Sequence, residues 1–381
     1  MSGWPAAKLG DVAEFLDHLR RPVTQKDRVE GPYPYFGANG QQGTIDGFLF
    51  DEELLLLAED GGHFENPSRG IAYTIAGKSW VNNHAHVLRP RDGVDLRYLC
   101  RVLENMDVRP FISGTTRAKL TKGSAAGIQV PLPPLAEQRR IAAILDHADT
   151  LRAKRREALA RLDELTQSIF IDMFGDPASN DRGWSAGFVS DFVDGFEGGR
   201  NIVGSDDQDD GYRVLKVSAV TSLAYRESES KPLPSDYIPP SNHLVREGDL
   251  LFSRANTSEL VGATAIVTAT DGKTALPDKL WRFRWRDESA AVPRYVESLF
   301  QRPSFRRKLS ERATGSSGSM KNIAQAKVLT ISVGIPPLEL QRDFAQRKAA
   351  IELMKEGQRT ALAEFDALFT SLQSRAFRGE R

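Results

Sequence analysis

Residues 133–139 read Pro-Pro-Leu-Ala-Glu-Gln-Arg, and residues 336–342 repeat them as Pro-Pro-Leu-Glu-Leu-Gln-Arg, 203 positions later. Downstream of this motif the offset stays constant. Upstream it shrinks to 180, where Trp4 aligns with Trp184, so insertions have accumulated in the front part of the second copy. Such internal similarity predicts two copies of one architectural unit, each ending in the segment that follows the motif.

Two rows of mostly apolar residues follow each copy of the motif at seven-residue spacing. The first row is Ile141, Ala148, Arg155, Leu162 and Ile169, matched by Phe344, Ile351, Gln358, Phe365 and Leu372. The second row is Ile144, Leu151, Ala158, Leu165 and Asp172, matched by Arg347, Met354, Ala361, Leu368 and Arg375. These rows predict two long helices that pair as an antiparallel coiled coil. The alternative is that each helix packs on its own domain, but the shared register favours mutual pairing.

One layer of the predicted helix pair is polar. Arg155 and Gln358 both fall in the third of the five layers, so antiparallel pairing brings them near each other. Polar residues at such positions fix the register at a cost in stability. Helices of this kind, about 57 Å long at 1.5 Å per residue, are expected to act as spacers.

The segments between the helices have a different texture, with short apolar runs such as Gly43–Phe50 and Gly248–Ser253 separated by Gly, Pro, Asn and Asp. This texture indicates mixed, mainly β structure, with short helices around Arg97–Asn105 and Arg294–Gln301. We therefore expect an α+β fold with a pseudo-two-fold internal repeat. Its expected parts are a first module at 1–133, a central helix at 134–175, a second module at 176–335 and a C-terminal helix at 336–381.

The charge balance of 51 Lys and Arg against 51 Asp and Glu gives no overall basic excess, so any affinity for nucleic acid must be local or shared with a partner. Each module nevertheless has one local basic stretch. In the first module it consists of Arg109, Arg117, Lys119 and Lys122. In the second module it consists of Arg302, Arg306, Arg307, Lys308, Arg312, Lys321 and Lys327.

Cysteine usage and hydropathy bear on location. The single cysteine, Cys100, excludes an internal disulfide and a thiolate metal cluster, and favours a reducing compartment. Met1–Gly10 has no apolar core behind a basic start, and the longest apolar run, Leu54–Ala58, is too short to cross a bilayer. We expect a cytoplasmic protein.

Sequence patterns that suggest catalysis fail on spacing. Gly77-Lys78-Ser79 and Gly272-Lys273-Thr274 are similar to the end of a phosphate-binding loop, but each lacks the first glycine of that loop, so we interpret both as turns between strands. His84 and His86 are better explained as alternate residues on one strand face than as metal ligands. No metal and no cofactor is expected, and the chain is not predicted to be an enzyme by itself.

Four passages together resemble the specificity subunits of type I restriction-modification enzymes. Residues 131–141 are similar to the start of that family's central helix, and Asp172–Pro177 is similar to the exit from it. Tyr33–Gly40 and Leu57–Gly61 are similar to one class of its target recognition domains. The second motif departs from the first by having Leu340 at the position of Glu137.

The resemblance implies that each module reads one half of a split target in double-stranded DNA, while the helices fix the gap between the halves. It also implies that the chain binds two methyltransferase subunits and, for cleavage, ATP-driven endonuclease and translocase subunits. Two alternatives from other classes remain open at this point. One is a self-contained methyltransferase or nuclease, and the other is a scaffold that does not bind DNA.

Candidate DNA-contacting residues are side chains that can pair with base edges or phosphates and that lie in glycine-rich or basic segments. In the first module they are Tyr33, Tyr35, Asn39, Gln41, Gln42, Arg117, Lys119 and Lys122. In the second module they are Arg254, Asn256, Thr257, Ser316, Ser317, Ser319, Lys321 and Asn322.

Overall fold

A computed structural model describes residues 3–66, 69–104, 106–114, 118–202, 211–287, 291–315 and 320–378. The chain folds as two compact units, which we call unit 1 (Met1–Glu157 with Gln358–Arg381) and unit 2 (Ala158–Gly357). Each unit combines one β-rich module with one half of each long helix. Within the described residues, no helix is both long enough and apolar enough to cross a membrane.

Among its described residues, the first module contains ten strands and three short α-helices. The strands are β1 (Ala6–Lys8), β2 (Ala13–Phe15), β3 (Tyr33–Gly37), β4 (Gly40–Ile45), β5 (Phe50–Asp51), β6 (Leu54–Ala58), β7 (Ala72–Ile75), β8 (Lys78–Val81), β9 (Ala85–Pro90) and β10 (Gln129–Pro131). The helices are α1 (Leu9–Val12), α2 (Leu96–Leu103) and α3 (Lys122–Ala126). The strands form an antiparallel sheet β2-β9-β6-β7, a mixed sheet β4-β3-β8-β5 and the antiparallel pair β1-β10.

The second module follows the long helix α4 (Leu135–Phe174) and precedes the long helix α8 (Leu338–Arg378). Its strands are β11 (Ser185–Phe188), β12 (Val193–Gly198), β13 (Arg213–Leu215), β14 (Ser230–Pro232), β15 (Leu250–Ser253), β16 (Ala255–Asn256), β17 (Thr264–Ile266), β18 (Thr274–Ala275), β19 (Leu280–Trp285), β20 (Lys321–Asn322) and β21 (Ser332–Ile335). Its helices are α5 (Pro293–Gln301), α6 (Pro303–Arg312) and α7 (Gln325–Leu329).

The two modules share one topology. The sheet β12-β19-β15-β17 corresponds to β2-β9-β6-β7, and β14-β13-β18 corresponds to β4-β3-β8, with one parallel pair in each case. The modules differ where β3 joins β4 through residues 38–39 whereas β13 joins β14 through residues 216–229. This connection accounts for part of the predicted insertions in the second copy.

The predicted turns and the aligned tryptophans both find a structural explanation. Gly77 (φ 68°) lies between β7 and β8, and Gly272 (φ 76°) precedes β18, which confirms turns that favour glycine. In unit 1 the Trp4 indole donates to the Ala376 carbonyl, and in unit 2 the Trp184 indole donates to the Phe174 carbonyl, both at 2.9 Å. The same side chain therefore binds the last turn of a long helix in each unit.

The repeated glutamine of the motif is buried at the start of each long helix. Gln138 Nε2 donates to the Pro133 carbonyl (2.9 Å), while its Oε1 accepts from the Asp95 backbone N–H (2.8 Å) just before α2. Gln341 bridges Pro336 and Val292 in the same way at 2.9 and 3.0 Å. One amide thus joins a long helix to the short helix of its own module.

The helix halves pair antiparallel within each unit. In unit 1, Arg152 Nε lies 2.5 Å from Asp366 Oδ1. In unit 2, Lys355 Nζ lies 2.6 Å from Asp163 Oδ1, and the Phe170 and Phe344 rings are 5.4 Å apart. Within unit 2, the residue number falls along one helix as it rises along the other. Ile141, Ala148, Phe344 and Ile351, members of the first predicted row, are all buried.

The second predicted row is wrong. Ile144, Leu165, Met354 and Leu368 are 39 to 50% exposed. The inward row lies one residue later than the predicted second row. It consists of Gln138, Leu145, Arg152, Leu159, Thr166 and Met173 in α4 and of Gln341, Lys348, Lys355, Leu362 and Phe369 in α8. Apolar patterning missed it because several of its members are polar side chains with specific partners, such as Lys348 with Glu297 (2.8 Å).

Candidate nucleic-acid interface

A tight hairpin presents three of the predicted amides to solvent. β3 and β4 pair antiparallel with Gly37 opposite Gly40, and Gly40 adopts a φ of 105° that favours glycine in the turn. Asn39, Gln41 and Gln42 are exposed at this turn and along β4. Exposed amides on a narrow hairpin can approach base edges in a groove.

Hydrogen bonds fix the hairpin to the neighbouring segments. Asn39 Nδ2 donates to the Gly61 carbonyl (2.9 Å), and Gln42 Oε1 accepts from Asn82 Nδ2 (3.2 Å). Gln41 Nε2 donates to the Gly43 carbonyl (3.1 Å). The amide side chains are therefore oriented before any ligand arrives.

The two predicted tyrosines differ in accessibility. Tyr33 is half-buried, with its ring 5.3 Å from that of Phe48. Tyr35 is 2% exposed, and its hydroxyl both accepts from the Val23 N–H (3.0 Å) and donates to the Val23 carbonyl (3.1 Å). We therefore correct the expectation for Tyr35, whose ring supports the hairpin from inside.

Lys119, from the basic stretch of the first module, lies against the end of β6. Lys119 Nζ is 2.9 Å from Glu59 Oε1, and the Lys119 side chain is 45% exposed. Lys122 is exposed at the start of α3. Arg117, which belongs to the same predicted set, lies outside the described residues. The glycine-rich hairpin and the basic stretch thus meet at one place, since Asn39 binds Gly61 and Lys119 binds Glu59.

A network of charged side chains lies beneath Lys119 and the end of β6. Arg20 Nη1 lies 2.6 Å from Glu59 Oε2 and its Nη2 lies 3.4 Å from Asp17 Oδ2, while His86 Nδ1 lies 2.7 Å from the same Asp17 atom. His86 Nε2 donates to the Leu120 carbonyl (2.8 Å), which anchors the chain beside Lys119. Asp17, Glu59 and His86 are close enough to share a cation, but Arg20 already bonds both carboxylates, so the network needs no metal.

Opposing effects set the pKa values of the two acids. Burial raises the pKa of Glu59, but hydrogen bonds from Lys119 and Arg20 outweigh it and hold the pKa below its ordinary value. Burial likewise raises the pKa of Asp17. The hydrogen bond and charge of His86, the hydrogen bond from the Val87 N–H and the charge of Arg20 together outweigh burial, so the pKa lies below its ordinary value. Both acids are therefore ionised partners of the basic groups around them.

Sequence reasoning missed one polar pair at this surface. His84 Nδ1 lies 2.5 Å from Asp60 Oδ1, and the His84 side chain is 37% exposed. The Asn82 side-chain oxygen accepts from the His84 N–H (2.8 Å), so this pair adjoins the partner of Gln42. The only sequence feature that indicated this pair is the Leu57–Gly61 passage, which resembles the target recognition domains and contains Asp60.

In the second module, a short strand pair brings two predicted clusters together. Ala255 pairs with Asn322 and Asn256 with Lys321. In the first module Lys119 makes the corresponding bridges to Ser113 and Asp60. Within the described residues, the two loops therefore make corresponding strand bridges. Ser316, Ser317 and Ser319 lie outside them.

The second-module candidates differ in what they offer. The Arg254 guanidinium carbon lies 5.2 Å from the Trp281 ring centroid, and its buried Nε has no hydrogen-bond partner among the described residues. Asn256 Nδ2 donates to Ser253 Oγ (3.3 Å), and its Oδ1 accepts from the Thr257 N–H (2.9 Å). Arg254, Asn256, Thr257, Lys321 and Asn322 are all half-buried or exposed. Guanidinium, ammonium and amide groups in one cluster suit a phosphate backbone and base edges.

The chain is similar in sequence to known proteins. A model of the type I restriction modification DNA specificity domain matches residues 1–161. The chain is 27% identical to a putative type I restriction enzyme specificity subunit of Haemophilus influenzae, with 87% of this chain and 83% of that protein covered. It is 28% identical to the EcoKI specificity subunit of Escherichia coli, covering 81% and 74% of the two chains.

The fold itself has a solved counterpart. The type I restriction-modification S subunit from M. genitalium superposes with a TM-score of 0.63 at 12% identity, covering 99% of this chain and 96% of the other. By fold, the chain is thus a two-module protein with long helices of the S-subunit kind. With the sequence matches added, the chain is similar in fold and in sequence to type I restriction enzyme specificity subunits, and its residues 1–161 match their DNA specificity domain.

Proposed function

We propose that this chain selects a bipartite sequence in double-stranded DNA, with the first and second modules each reading one half and the paired helices setting the spacer. The observation that carries the proposal is the shared topology of two modules whose surface residues differ. Two readers of common architecture and different side chains are suited to an asymmetric split target. Near-zero net charge agrees with phosphate contacts shared with partner subunits.

We also propose that the helices dock two methyltransferase subunits, with endonuclease and translocase subunits joining for cleavage, and that catalysis belongs to these partners in the cytoplasm. The row of exposed apolar side chains supports docking. By the register of the ion pairs, Leu151 lies level with Leu368 in unit 1, and Leu165 lies level with Met354 in unit 2. Apolar side chains repeated along the outside of a helix pair are typical of a further helical partner.

Module replacement tests target reading. Replacing residues 176–335 with the recognition module of another family member should change one half of the methylated sequence and leave the other half unchanged. Genome-wide mapping of methylated adenines with and without the replaced chain measures this outcome. An unchanged sequence, or a change in both halves, would contradict the modular assignment.

Affinity purification from the native host tests docking. The wild-type chain should recover a methyltransferase chain, and the double substitution Leu165→Glu and Met354→Glu should reduce that recovery, because it places charge in the apolar row. Gln167→Glu, an exposed change on the same helix, serves as the matched control. Equal recovery with both variants would sink this docking surface.

A further inference from the structure

The buried Tyr35 ring forms a fixed platform beside the hairpin. Its hydroxyl is held by both backbone groups of Val23, and its residue is 2% exposed. A ring fixed at its polar end and enclosed at its sides has little rotational freedom. A planar group that stacks on the face of the Tyr35 ring is therefore held in a defined orientation.

Arg28 lies on that face. Its guanidinium carbon is 3.7 Å from the Tyr35 ring centroid, and its Nη1 donates to the Gln42 carbonyl (3.1 Å). The buried Nε of Arg28 has no hydrogen-bond partner within the described part of the chain. Stacking on an aromatic face orients the planar guanidinium and leaves its donors usable.

The adjacent glycine makes room for this guanidinium. A Cβ on Gly43, which has a φ of 137°, would lie 3.1 Å from Arg28 Nη1. The guanidinium therefore sits directly beside the segment that carries the exposed Gln41 and Gln42. An arginine beside two exposed amides is well placed for a base edge.

Arg28 also differs from two other arginines of the module, Arg20 and Arg89, in having no carboxylate partner within the described residues. Arg20 is paired with Glu59, and Arg89 is paired with Glu52. Among the described residues, no carboxylate pairs with Arg28. Its full positive charge is available to a ligand.

The second module contains a parallel arrangement. Arg254 lies over the Trp281 ring, and its Nε is likewise buried without a partner in the described residues. Within the described residues, each module thus places at least one arginine over an aromatic ring. The sequence pointed to Arg254 but not to Arg28, because Arg28 lies outside the strands and outside the glycine-rich motif.

We propose that Arg28 is a specificity-determining residue of the first module and that it reads a guanine in that module's half of the target. Bidentate donation by arginine to guanine O6 and N7 is the commonest specific contact in the major groove. A fixed planar fork suits this contact, whereas phosphates are adequately bound by lysines such as Lys119 and Lys122. The assignment rests on the proposed function of the first module.

Modified duplexes test the contact. The complete complex, purified from the host with either wild-type or Arg28→Ala chain, is titrated with a duplex carrying the mapped target. Each guanine of the first-module half is replaced in turn by 7-deazaguanine, which lacks the N7 acceptor. At one guanine, the replacement should weaken wild-type binding by about 5-fold or more and have little effect on the Arg28→Ala complex.

Two further variants guard against loss of folding. Arg28→Lys keeps the charge but not the planar fork, and should show the same loss of guanine discrimination. Arg91→Ala, an exposed arginine of the same module, should behave as wild type. Equal melting temperatures and equal recovery of partner subunits establish that the variants are folded.

Three results would overturn the role of Arg28. The first is a uniform weakening on all duplexes, which indicates a phosphate contact. The second is a wild-type response to every 7-deazaguanine in the Arg28→Ala complex, and the third is a half-target without guanine. Failure of the proposed function itself has a different signature, because the methylated sequence would then stay unchanged when the entire first module is replaced.

Discussion

The residue that best explains the repeated motif is its glutamine. Gln138 and Gln341 are 1% and 2% exposed, and each uses its amide to join the proline that precedes a long helix to the start of a short one. A hydrophobic side chain of similar size cannot replace these bonds. The motif therefore encodes the angle at which a helix leaves its module.

Gln138→Leu should lower the free energy of unfolding by about 1–3 kcal/mol, because it leaves the buried Asp95 N–H and Pro133 carbonyl without their partner. Urea denaturation followed by circular dichroism measures the change. Gln129→Leu, at an exposed position on β10, is the control and should alter stability little. A neutral Gln138→Leu would mean that the bonds contribute nothing net.

The pKa values of Asp17 and Glu59 make a pH-dependent contribution to stability. Since both folded-state pKa values lie below the ordinary ones of 3.8 for Asp17 and 4.5 for Glu59, the contribution is complete only above these ordinary values and is lost as pH falls through them to the folded values. Glu59→Gln should therefore lower the melting temperature at pH 7, and the difference from wild type should shrink in acid. Glu53→Gln, an exposed change, controls for the lost charge. A difference that is constant down to pH 3 would contradict this account.

At the scale of the element, the long helices combine an apolar row with a row rich in polar residues. Lys348 and Lys355 are 6% and 5% exposed, and each is held by a carboxylate at 2.8 and 2.6 Å. Lys355 pairs with Asp163 of α4, so a wrong register of the two helices would leave a buried ammonium group without this partner. Lys348 instead joins α8 to α5 through Glu297.

The predicted polar layer is confirmed, because Arg155 Nη1 donates to Gln358 Oε1 at 2.7 Å in unit 1. Replacing both residues with Leu should raise the melting temperature and loosen the orientation of the helices, since apolar layers are more stable and less selective. Differential scanning calorimetry measures the first effect. Replacing Arg155 alone leaves Gln358 without its partner and serves as the control. A lower melting temperature of the double variant would refute the role in register.

On the scale of the whole molecule, duplication explains both the similarity and the divergence of the parts. The helices keep a constant offset because a single insertion in one of them would shift every layer against its partner. The modules tolerate insertions such as residues 216–229, because loops can lengthen without disturbing a sheet. Recognition surfaces can thus change while the spacer is kept.

Inserting one heptad after Glu157 and another after Thr360 should lengthen each helix by about 10.5 Å while preserving the pairing pattern. If the helices set the spacer, the methylated target should gain about three base pairs between its halves, at about 3.4 Å per base pair. Methylation mapping gives the spacer directly. Insertion in one helix alone should instead disrupt pairing and lower the melting temperature. An unchanged spacer in the double insertion would show that something else sets it.

The sequence by itself determined the helices, their inward row at Ile141 and Phe344, the polar layer and the β-rich texture of the modules. Periodicity and repetition are local properties of the chain, so they can be read without coordinates. The tertiary structure decided what depends on partners distant in sequence. In the folded chain Tyr35 is buried, Lys119 pairs with Glu59, and the Arg28 guanidinium lies on the Tyr35 ring. The second inward row of the helices contains Lys348 and Lys355 in place of the predicted residues. Whether a side chain is covered or presented depends on which strands meet, and apolar patterning carries no signal for polar groups that are buried in pairs.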